Sequence, residues 1–376
     1  MDRGIHVLGL GNLGKYVAYA LRRGHRTDTV SPLPPVTLFF HKLSLLRHWE
    51  SAGRSISYIP EFDTLPSEAR RHGRATGFRV ELLGDAITAA QLGEIERHPD
   101  ITVGSDAPIK YLIVATKTIA TTSAIAPVVH RLSKDSHIIF LQNGMGVADE
   151  VSEKLFPDPE NRPTYWAGIC SAGIYHRAPF TFVHAGTGPL SVGVVGARSQ
   201  DPKLARLAME GNTMVAQLLS APLLDARLLS PDQILQAQVR KLVVNAIINP
   251  LTVIFGCKNG QLAEIAEASD MVGQLLQEAG PIARQMLPKA DDLVQREFSD
   301  KNLTEVVWEV ARKTANNTSS MLQDVRQGRP TEIDYINGYL VSYGKRLGLP
   351  TSSHADIYKR IKQLESEHAN QSFRKV

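Results

Sequence analysis

Cysteine is scarce in this chain, which contains two cysteines, Cys170 and Cys257, among 376 residues. Two cysteines are too few for the disulfide framework of a small secreted domain, and neither stands in a spacing typical of metal ligands. Such scarcity is typical of proteins that fold in a reducing compartment. We therefore expect no disulfide and no bound metal.

Long apolar runs are also missing, and no stretch approaches the roughly 20 residues that a membrane-spanning helix needs. The N-terminus, "MDRGIHVLGLG", leads almost at once into a predicted strand. This leaves no room for a signal peptide or an Arg-rich transit peptide. The sequence thus predicts no membrane partner and a cytoplasmic location, with a mitochondrial location left open because unusual targeting signals exist.

An excess of one charge is lacking too, since 42 Lys and Arg against 38 Asp and Glu leave a formal net charge of +4. A nucleic-acid-binding surface needs clustered basic residues with aromatic residues among them, so we expect no nucleic acid partner. The mild charge suits an anionic small molecule. With 43% hydrophobic and 21% charged residues, the composition is that of an ordinary globular protein long enough for two domains.

The first 200 residues alternate apolar, strand-like runs with helical patterns, which predicts an α/β domain with a mostly parallel sheet. Residues 165–196 are expected to add antiparallel strands to the same sheet. Two stretches, 25–35 and 58–84, interrupt the alternation and are predicted to be a Pro-rich loop and a surface insertion. The clearest elements are "IHVLGLG" (5–11), the helix 14–24, "VTLFF" (36–40), "YLIVAT" (111–116) and "HIIFLQNG" (137–144).

Beyond residue 200 the pattern becomes helical almost throughout, which predicts an all-α second domain. We therefore expect an α/β domain over residues 1–220 and a helical domain over residues 221–376. The predicted helices are 203–220, 231–249, 261–286, 303–313, 319–327, 331–347 and 354–369.

A glycine motif, "GLGNLG", follows the first predicted strand and opens the first helix. Glycines in this spacing let a pyrophosphate approach the backbone and rest on the helix N-terminus. The alternative is a tight strand-to-helix turn with no ligand. The context favours a dinucleotide site made by Gly9, Leu10, Gly11, Asn12, Leu13 and Gly14.

The end of the second strand distinguishes NAD from NADP. An NAD site has an acidic residue here for the ribose hydroxyls, whereas this chain has His41 and Lys42 and no acidic residue before Glu50. Cations at this position favour a 2′-phosphate, so we expect NADP(H) with Lys42 as the first candidate contact. The alternative is a solvated lysine on a loop.

Two further polar residues follow later strands, at the sheet edge where ligands of such folds bind. Lys117 belongs to "ATK", after the strand at 111–116, and Asn143 belongs to "QNGMG", after the strand at 137–144. An Asn before Gly is often only a turn residue. The position at this edge makes a role in ligand binding equally plausible.

The segment "RKLVVNAIINP" raises a question of its own. Lys241, Asn245 and Asn249 lie four residues apart and so share one helix face, while the residues between them are apolar. Burying an unpaired ammonium and two amides is costly. Either they pair with each other in the core or they line a wet cleft, which we favour; Pro250 is expected to end or kink the helix there.

Two helix starts in the second half carry further candidates. Thr318 or Ser319 is expected to cap a short helix that ends at Gly328, which places Ser320 in its first turn. Thr331 is expected to cap the next helix with Asp334 at the capping-box position, which leaves Glu332 without a local role. Simple capping is the alternative explanation for both starts.

Together these stretches resemble the ketopantoate reductase (2-dehydropantoate 2-reductase) family. The resemblance extends from residue 5 to about 354, and the longer loops 25–35 and 58–84 are similar to those of eukaryotic, especially fungal, members. It implies an N-terminal Rossmann domain, a helical C-terminal domain and an active site in the cleft between them. The matching stretches are "GLGNLG", "ATK", "QNGMG", "KLVVNAIINPLTVIFGCKNG", "SSMLQDVRQGRPTEIDYINGYL" and "GLPTSSH".

The resemblance also implies roles for single residues. Lys241 would be the general acid, and Glu332 would help to hold the substrate and Lys241. Asn245, Asn249 and Asn259 would orient the substrate, Ser320 would bind its carboxylate, and Lys117 and Asn143 would lie where cofactor and substrate meet. Burial would lower the pKa of Lys241 and Glu332 would raise it. The implied reaction is the NADPH-dependent reduction of 2-dehydropantoate to (R)-pantoate, on the route to pantothenate and coenzyme A.

Three other functions stay open at this point. The chain could reduce another branched 2-oxo acid, or it could be a non-catalytic NADP-binding regulator. A cofactor-free interaction protein fits less well, because the glycine motif would then have no function. The sequence leaves the oligomeric state open, and a homodimer is one expectation.

Overall fold

The computed structural model describes residues 4–23, 33–61, 72–83, 100–288 and 292–373. Most of the predicted loop 25–35 and the middle of the predicted insertion 58–84 lie outside these residues. The chain forms two compact units. The first contains residues 1–142 and 148–234, and the second contains residues 143–147 and 235–376.

The first unit contains a nine-stranded sheet with the order β13-β12-β9-β8-β7-β1-β2-β5-β6. The seven strands from β9 to β6 pair in parallel, whereas β12 runs antiparallel to β9 and has β13 parallel beside it. The strands are β1 (Ile5–Leu8), β2 (Val36–Phe40), β5 (Arg79–Leu82), β6 (Ile101–Val103), β7 (Tyr111–Val114), β8 (His137–Phe140), β9 (Thr164–Cys170), β12 (Leu190–Val195) and β13 (Arg227–Leu228).

The central strands are buried on both faces, because every residue of β1, β2 and β7 is buried. Continuous burial of this kind is typical of a parallel sheet covered by helices. In the register, Val7 lies between Leu38 and Ile113. The predicted α/β fold with a parallel sheet is confirmed.

The prediction that residues 165–196 only extend this sheet is wrong in part. A separate four-stranded sheet has the order β10-β11-β3-β4. Only β9 and β12 join the main sheet; the hairpin between them leaves it because β11 pairs in parallel with β3 instead. The strands of the second sheet are β3 (Ile56–Pro60), β4 (Gly73–Ala75), β10 (Gly173–Ala178) and β11 (Thr181–Gly186).

The helix predicted over 203–220 is two helices. Asn212 interrupts it, and its side-chain oxygen accepts a hydrogen bond from Val215 N at 3.2 Å, which caps the second helix. The described helices of the first unit are α1 (Asn12–Arg22), α2 (Leu43–Ser51), α3 (Thr121–Ile125), α4 (Val147–Leu155), α5 (Pro202–Met209) and α6 (Thr213–Ser220).

The division between the units falls between Ile234 and Leu235, further along the chain than the boundary predicted at residue 220. The reason is local, because β13 pairs with β12 and so ties residues 227–228 to the main sheet. Residues 143–147 group with the second unit although they follow β8 of the first.

The second unit is helical and has its own apolar core, to which Ile247, Leu275, Val307 and Leu340 contribute. Two 3-10 turns, Asn259–Glu264 and Ile333–Tyr335, lie between helices. The described helices are α7 (Pro231–Phe255), α8 (Ala266–Met286), α9 (Asp292–Glu297), α10 (Asp300–Lys313), α11 (Ser320–Arg326), α12 (Asn337–Arg346) and α13 (Ser352–Phe373).

Pro250 does not end its helix. The prediction that α7 ends at residue 249 is therefore wrong. The helix continues to Phe255. Proline has no N–H to donate to the carbonyl four residues earlier, which is that of Ala246. Asn337 supplies the missing donor, with its Nδ2 at 2.9 Å from the Ala246 oxygen.

The part of the chain that the structure describes lacks two features, a membrane-spanning helix and a cluster of metal ligands. No helix there combines the length and the apolar composition that crossing a lipid bilayer requires. The same residues contain no group of three or more His, Cys, Asp or Glu side chains arranged to hold a metal ion.

Candidate active site

Two glycines of the loop after β1 are required by backbone packing. Gly9 has φ +93°, and a Cβ on it would lie 2.5 Å from Thr116 N. A Cβ on Gly14 would lie 1.9 Å from the carbonyl oxygen of Gly9. Any side chain at either position therefore displaces backbone, which explains both glycines without a ligand.

Gly11 differs from these two glycines. Its φ of −65° is ordinary, and a Cβ there would meet only the Ala115 oxygen, at 4.0 Å. Gly11 precedes α1, whose first turn has neither a side-chain cap nor an acidic residue. The space beside Gly11 and the uncapped N–H groups of α1 suit a phosphate group.

The remaining residues of the loop, Leu10, Asn12 and Leu13, are partly buried. Leu10 and Leu13 pack against the core of the first unit. Their side chains therefore anchor the loop, and the backbone is the part of the loop suited to a ligand.

His41 and Lys42 follow β2 and are both exposed. Lys42 precedes α2 and its side chain does not cap that helix. Desolvation of the imidazole, followed by the charge of Lys42, lowers the pKa of His41. The lowered pKa favours the neutral form of the His41 imidazole.

Side-chain hydrogen bonds fix the turn after β7. Gln142 Nε2 donates to Thr121 Oγ1 at 2.8 Å and to Thr116 Oγ1 at 3.4 Å, and the two hydroxyls lie 3.2 Å apart. Lys117 is exposed and precedes the 3-10 turn Thr118–Ala120. The backbone oxygen of Lys117 accepts hydrogen bonds from Ala120 N at 2.9 Å and Thr121 Oγ1 at 3.4 Å, so the turn holds its backbone in place.

In the second unit, Asn143 and Glu332 are in contact, with Asn143 Nδ2 donating to Glu332 Oε2 at 3.1 Å. Glu332 is only 6% exposed. Gly144 makes this approach possible, since it has φ +83° and a Cβ on it would lie 2.4 Å from the Tyr335 oxygen. Met145 N donates to the same oxygen at 2.9 Å, so backbone contacts hold Asn143 against Glu332.

The polar row of α7 lies among buried apolar residues. Lys241 and Asn245 are half-buried, and Asn249 is 8% exposed. Within the described residues, the side-chain amides of Asn245 and Asn249 make no hydrogen bond. The two amides therefore do not pair with each other, which removes the alternative of a closed polar cluster for them.

Ser319 caps α11, because its Oγ accepts a hydrogen bond from Leu322 N at 3.1 Å. The prediction of a cap at Thr318 or Ser319 is confirmed, and Ser320 is the exposed first residue of the helix. Asn259 is buried elsewhere, with its Nδ2 at 2.9 Å from Thr314 Oγ1. Its side-chain oxygen has no partner among the residues described.

The predicted capping box at Thr331 is only half right. The Thr331 hydroxyl accepts from Ile333 N at 3.3 Å, as a cap does, but only a 3-10 turn follows and the helix begins at Asn337. Asp334 does not complete the box. Its carboxylate instead accepts hydrogen bonds from Tyr358 Oη at 2.7 Å and Lys362 Nζ at 3.1 Å.

Family models match most of both units of the chain. Residues 5–197 match the family model described as ketopantoate reductase PanE/ApbA, and residues 233–365 match its C-terminal counterpart. The chain belongs to the ketopantoate reductase family. Members of this oxidoreductase family are NADP-dependent.

One relative is a probable 2-dehydropantoate 2-reductase of Schizosaccharomyces pombe. Its sequence is 34% identical to this chain, over 93% of this chain and 92% of the relative. A D-mandelate dehydrogenase, solved with NADH and anilino(oxo)acetate, has a TM-score of 0.70 at 18% identity and covers 97% of this chain and 99% of its own. A dimeric ketopantoate reductase of Staphylococcus aureus has a TM-score of 0.62 at 16% identity, with the same coverage. The two structures show the fold.

Sequence reasoning missed the buried groups that support the polar row in this family member. Asn337 donates to Ala246 and lies 3.0 Å from His354 Nδ1. His354 Nε2 in turn lies 3.0 Å from the Leu275 oxygen, and Glu278 accepts from the backbone N–H groups that begin α13. The only available signal was Pro250, because a proline within a helix frees a carbonyl that needs another donor.

Proposed function

We propose that this chain reduces 2-dehydropantoate to (R)-pantoate with NADPH, with Lys241 as the general acid. Membership of the ketopantoate reductase family and the 34% identical Schizosaccharomyces pombe relative support the reaction. The observation that carries the proposal for the site is the row of Lys241, Asn245 and Asn249 on a helix segment, 241–251, whose other residues are apolar.

The first unit is suited to hold the cofactor. Gly9, Leu10, Gly11, Asn12, Leu13 and Gly14 would contact it, with the pyrophosphate over Gly11, where no packing constraint requires a glycine. Lys42 would hold the 2′-phosphate with His41 beside it, and Lys117 would lie nearer the nicotinamide. When bound, NADPH supplies the hydride that reduces the ketone carbon.

The role of Lys241 follows from the charge that the reaction creates. Negative charge grows on the ketone oxygen as the carbon is reduced, and an ammonium next to this oxygen stabilises it and can give it a proton. Lys241 is half-buried, so its charge acts in a medium of lower dielectric than water. Glu332, held by Asn143, would orient the ammonium and the substrate hydroxyl.

The substrate is an anion with a hydroxyl and a ketone, and it requires several polar contacts. The amides of Asn245 and Asn249 are available for its polar groups, since no described residue satisfies them. Ser320 would bind the carboxylate through its exposed hydroxyl. Asn259 is the weakest member of the predicted set, because Thr314 already binds its amide nitrogen.

The proposal extends to the surroundings of the protein. We propose a cytoplasmic location, which the low cysteine content of two residues supports, and no nucleic acid partner, which the net charge of +4 supports. A homodimer is also part of the proposal. The dimeric Staphylococcus aureus relative is its support.

The test is NADPH oxidation with 2-dehydropantoate, measured beside NADH and beside the Lys241→Ala variant. We expect turnover with NADPH, little with NADH, and a loss of kcat of about 10²- to 10⁴-fold in the variant. Lys258→Ala is the matched control, because Lys258 lies in the same unit and its backbone N–H is the group that Gln261 binds.

Each other outcome has a distinct meaning. NADPH binding without turnover of 2-dehydropantoate or other branched 2-oxo acids would indicate that the chain is a regulator and not an enzyme. Preference for another branched 2-oxo acid would change the substrate and keep the site. Full activity in Lys241→Ala would require a different proton donor.

A further inference from the structure

Three buried residues of the second unit form a continuous chain of hydrogen bonds between α7 and α11. Thr252 Oγ1 donates to the backbone oxygen of Asn249 at 2.7 Å, and it lies 2.6 Å from Ser319 Oγ. Thr252 is fully buried, Ser319 is 6% exposed and Asn249 is 8% exposed. Water is therefore largely excluded from all of these bonds.

The direction of the chain follows from counting protons. A hydroxyl has one proton to donate, and that of Thr252 goes to Asn249. Ser319 must then be the donor to Thr252, while its Oγ accepts from Leu322 N at 3.1 Å. Each hydroxyl of the chain thus has one possible acceptor for its proton. The chain therefore has a single hydrogen-bonding arrangement.

This chain connects two residues that the proposed function assigns to the substrate. Asn249 is the last amide of the row on α7, and Ser320 follows the capping serine directly at the start of α11. Asn249 and Ser320 lie far apart in sequence, and backbone hydrogen bonding within each helix does not fix one relative to the other. The hydroxyls of Thr252 and Ser319 link the two helices directly beside these residues.

We propose that Thr252 and Ser319 are positioning residues, which set the distance between the Asn249 amide and the Ser320 hydroxyl to match one 2-oxo acid. This inference rests on the proposed function and deepens it, because it names the residues that define how the substrate is bound. Neither Thr252 nor Ser319 touches the substrate. Their effect passes through Asn249 and Ser320.

The test compares Thr252→Val with Thr252→Ser. Valine keeps the branched shape and loses both hydrogen bonds, whereas serine keeps the hydroxyl and loses a methyl group. We expect Thr252→Val to raise the KM for 2-dehydropantoate about tenfold, with kcat changed less than about threefold and the KM for NADPH unchanged. Thr252→Ser should restore the KM to within about twofold of the wild type.

Ser319→Ala provides the second arm. It should raise the same KM, and the double variant Thr252→Val/Ser319→Ala should be no worse than the poorer single variant, because both changes break one chain. The matched control is Thr304→Val. Thr304 Oγ1 also donates to a backbone oxygen of its own helix, that of Asp300 at 2.7 Å, but it contacts neither α7 nor α11 through a side-chain hydrogen bond.

The outcomes separate the inference from the function on which it rests. If the wild type does not reduce 2-dehydropantoate, the proposed function fails. If the wild type is active and Thr252→Val leaves the KM unchanged, the function stands and the inference is wrong. A variant that lowers kcat and thermal stability at constant KM, without rescue by serine, shows a merely structural contact and also overturns it.

Discussion

The two proposed ligand sites, the glycine loop of the first unit and the polar row of the second, are built in opposite ways. Around Gly11 the chain leaves side chains out, so that backbone N–H groups are accessible. On α7 it inserts Lys241, Asn245 and Asn249 among apolar neighbours. The first arrangement lies within six residues that pack against the backbone of Ala115 and Thr116, whereas the second needs a side chain from another helix.

This difference explains where each region is vulnerable. The loop depends on the space around three glycines, all within six residues of each other. The row depends on a helix that continues through Pro250, and this requires Asn337 from α12. The glycines of the loop thus lie in one short stretch of sequence, whereas the polar row depends on residues from two distant helices.

The largest effect that would test this dependence is expected for Asn337→Leu. The substitution removes the donor to Ala246 and the neighbour of His354 Nδ1, both fully buried groups. Each buried group left without a partner costs about 1–3 kcal/mol, so we expect the free energy of unfolding to fall by about 3 kcal/mol. Urea denaturation measures this change.

Pro250→Ala serves as the diagnostic second substitution. Alanine restores an N–H that can donate to Ala246, so the double variant should recover roughly half of the stability lost in Asn337→Leu. Asn302→Leu is the matched control, since Asn302 Nδ2 also donates to a backbone oxygen, that of Glu297, but on a half-exposed side chain. No recovery in the double variant would contradict the role given to Asn337.

An intermediate effect is expected from two substitutions in the glycine loop. Gly14→Ala places a Cβ 1.9 Å from the Gly9 oxygen and should cost about 2–3 kcal/mol of unfolding free energy. Gly11→Ala brings its Cβ no closer than 4.0 Å to backbone and should leave stability nearly unchanged, while it raises the Kd for NADPH about tenfold, or about 1.4 kcal/mol. Thermal melting and fluorescence titration separate the two effects.

The distinction between Gly11 and Gly14 would be wrong if both alanine variants lost the same amount of stability. Gly11 would then be a packing residue, and the uncapped start of α1 would be the sole remaining argument for a phosphate at the loop. Equal stability with unchanged NADPH binding in Gly11→Ala would remove the argument from space altogether.

The smallest effect at neutral pH is expected for a buried histidine of the first unit. His184 packs against the rings of Tyr16 and Tyr58, and its burial lowers its pKa to about 4 from an ordinary 6.5. The unfolded chain therefore binds a proton more readily between these values, and stability falls as the pH drops from 6.5 towards 4.

His184→Phe should flatten this pH dependence and leave the melting temperature above pH 7 almost unchanged. Melting curves from pH 4 to pH 8 measure it. His130→Phe is the control, because that imidazole is exposed and lies 3.3 Å from the Asp106 carboxylate. An equally steep fall in His184→Phe would assign the acid sensitivity to other groups.

Local patterns in the sequence were sufficient to predict much of the fold and to name candidate residues for the site. Strands such as Val36–Phe40 are short apolar runs, and the cap at Ser319 is a local signal. The row on α7 was visible because three polar residues with helical spacing stand out among apolar ones. Each of these signals depends on neighbours within a few residues.

What could not be predicted depends on partners distant in sequence. The second sheet exists because β11 pairs with β3, more than a hundred residues earlier. The continuation of α7 depends on Asn337, which is 91 residues from Ala246. The sequence shows that Asp334 is acidic, but only the fold shows that Tyr358 and Lys362 are the groups it binds.

The grouping of residues 143–147 with the second unit has a consequence for dissecting the gene. A fragment that starts at Leu235 would lack Asn143, the partner of Glu332, and Met145, whose N–H is bonded to Tyr335. Its buried carboxylate would lose a donor. A self-sufficient version of the helical half must therefore have the pentapeptide "NGMGV" grafted back, and no single cleavage point in the chain yields two intact halves.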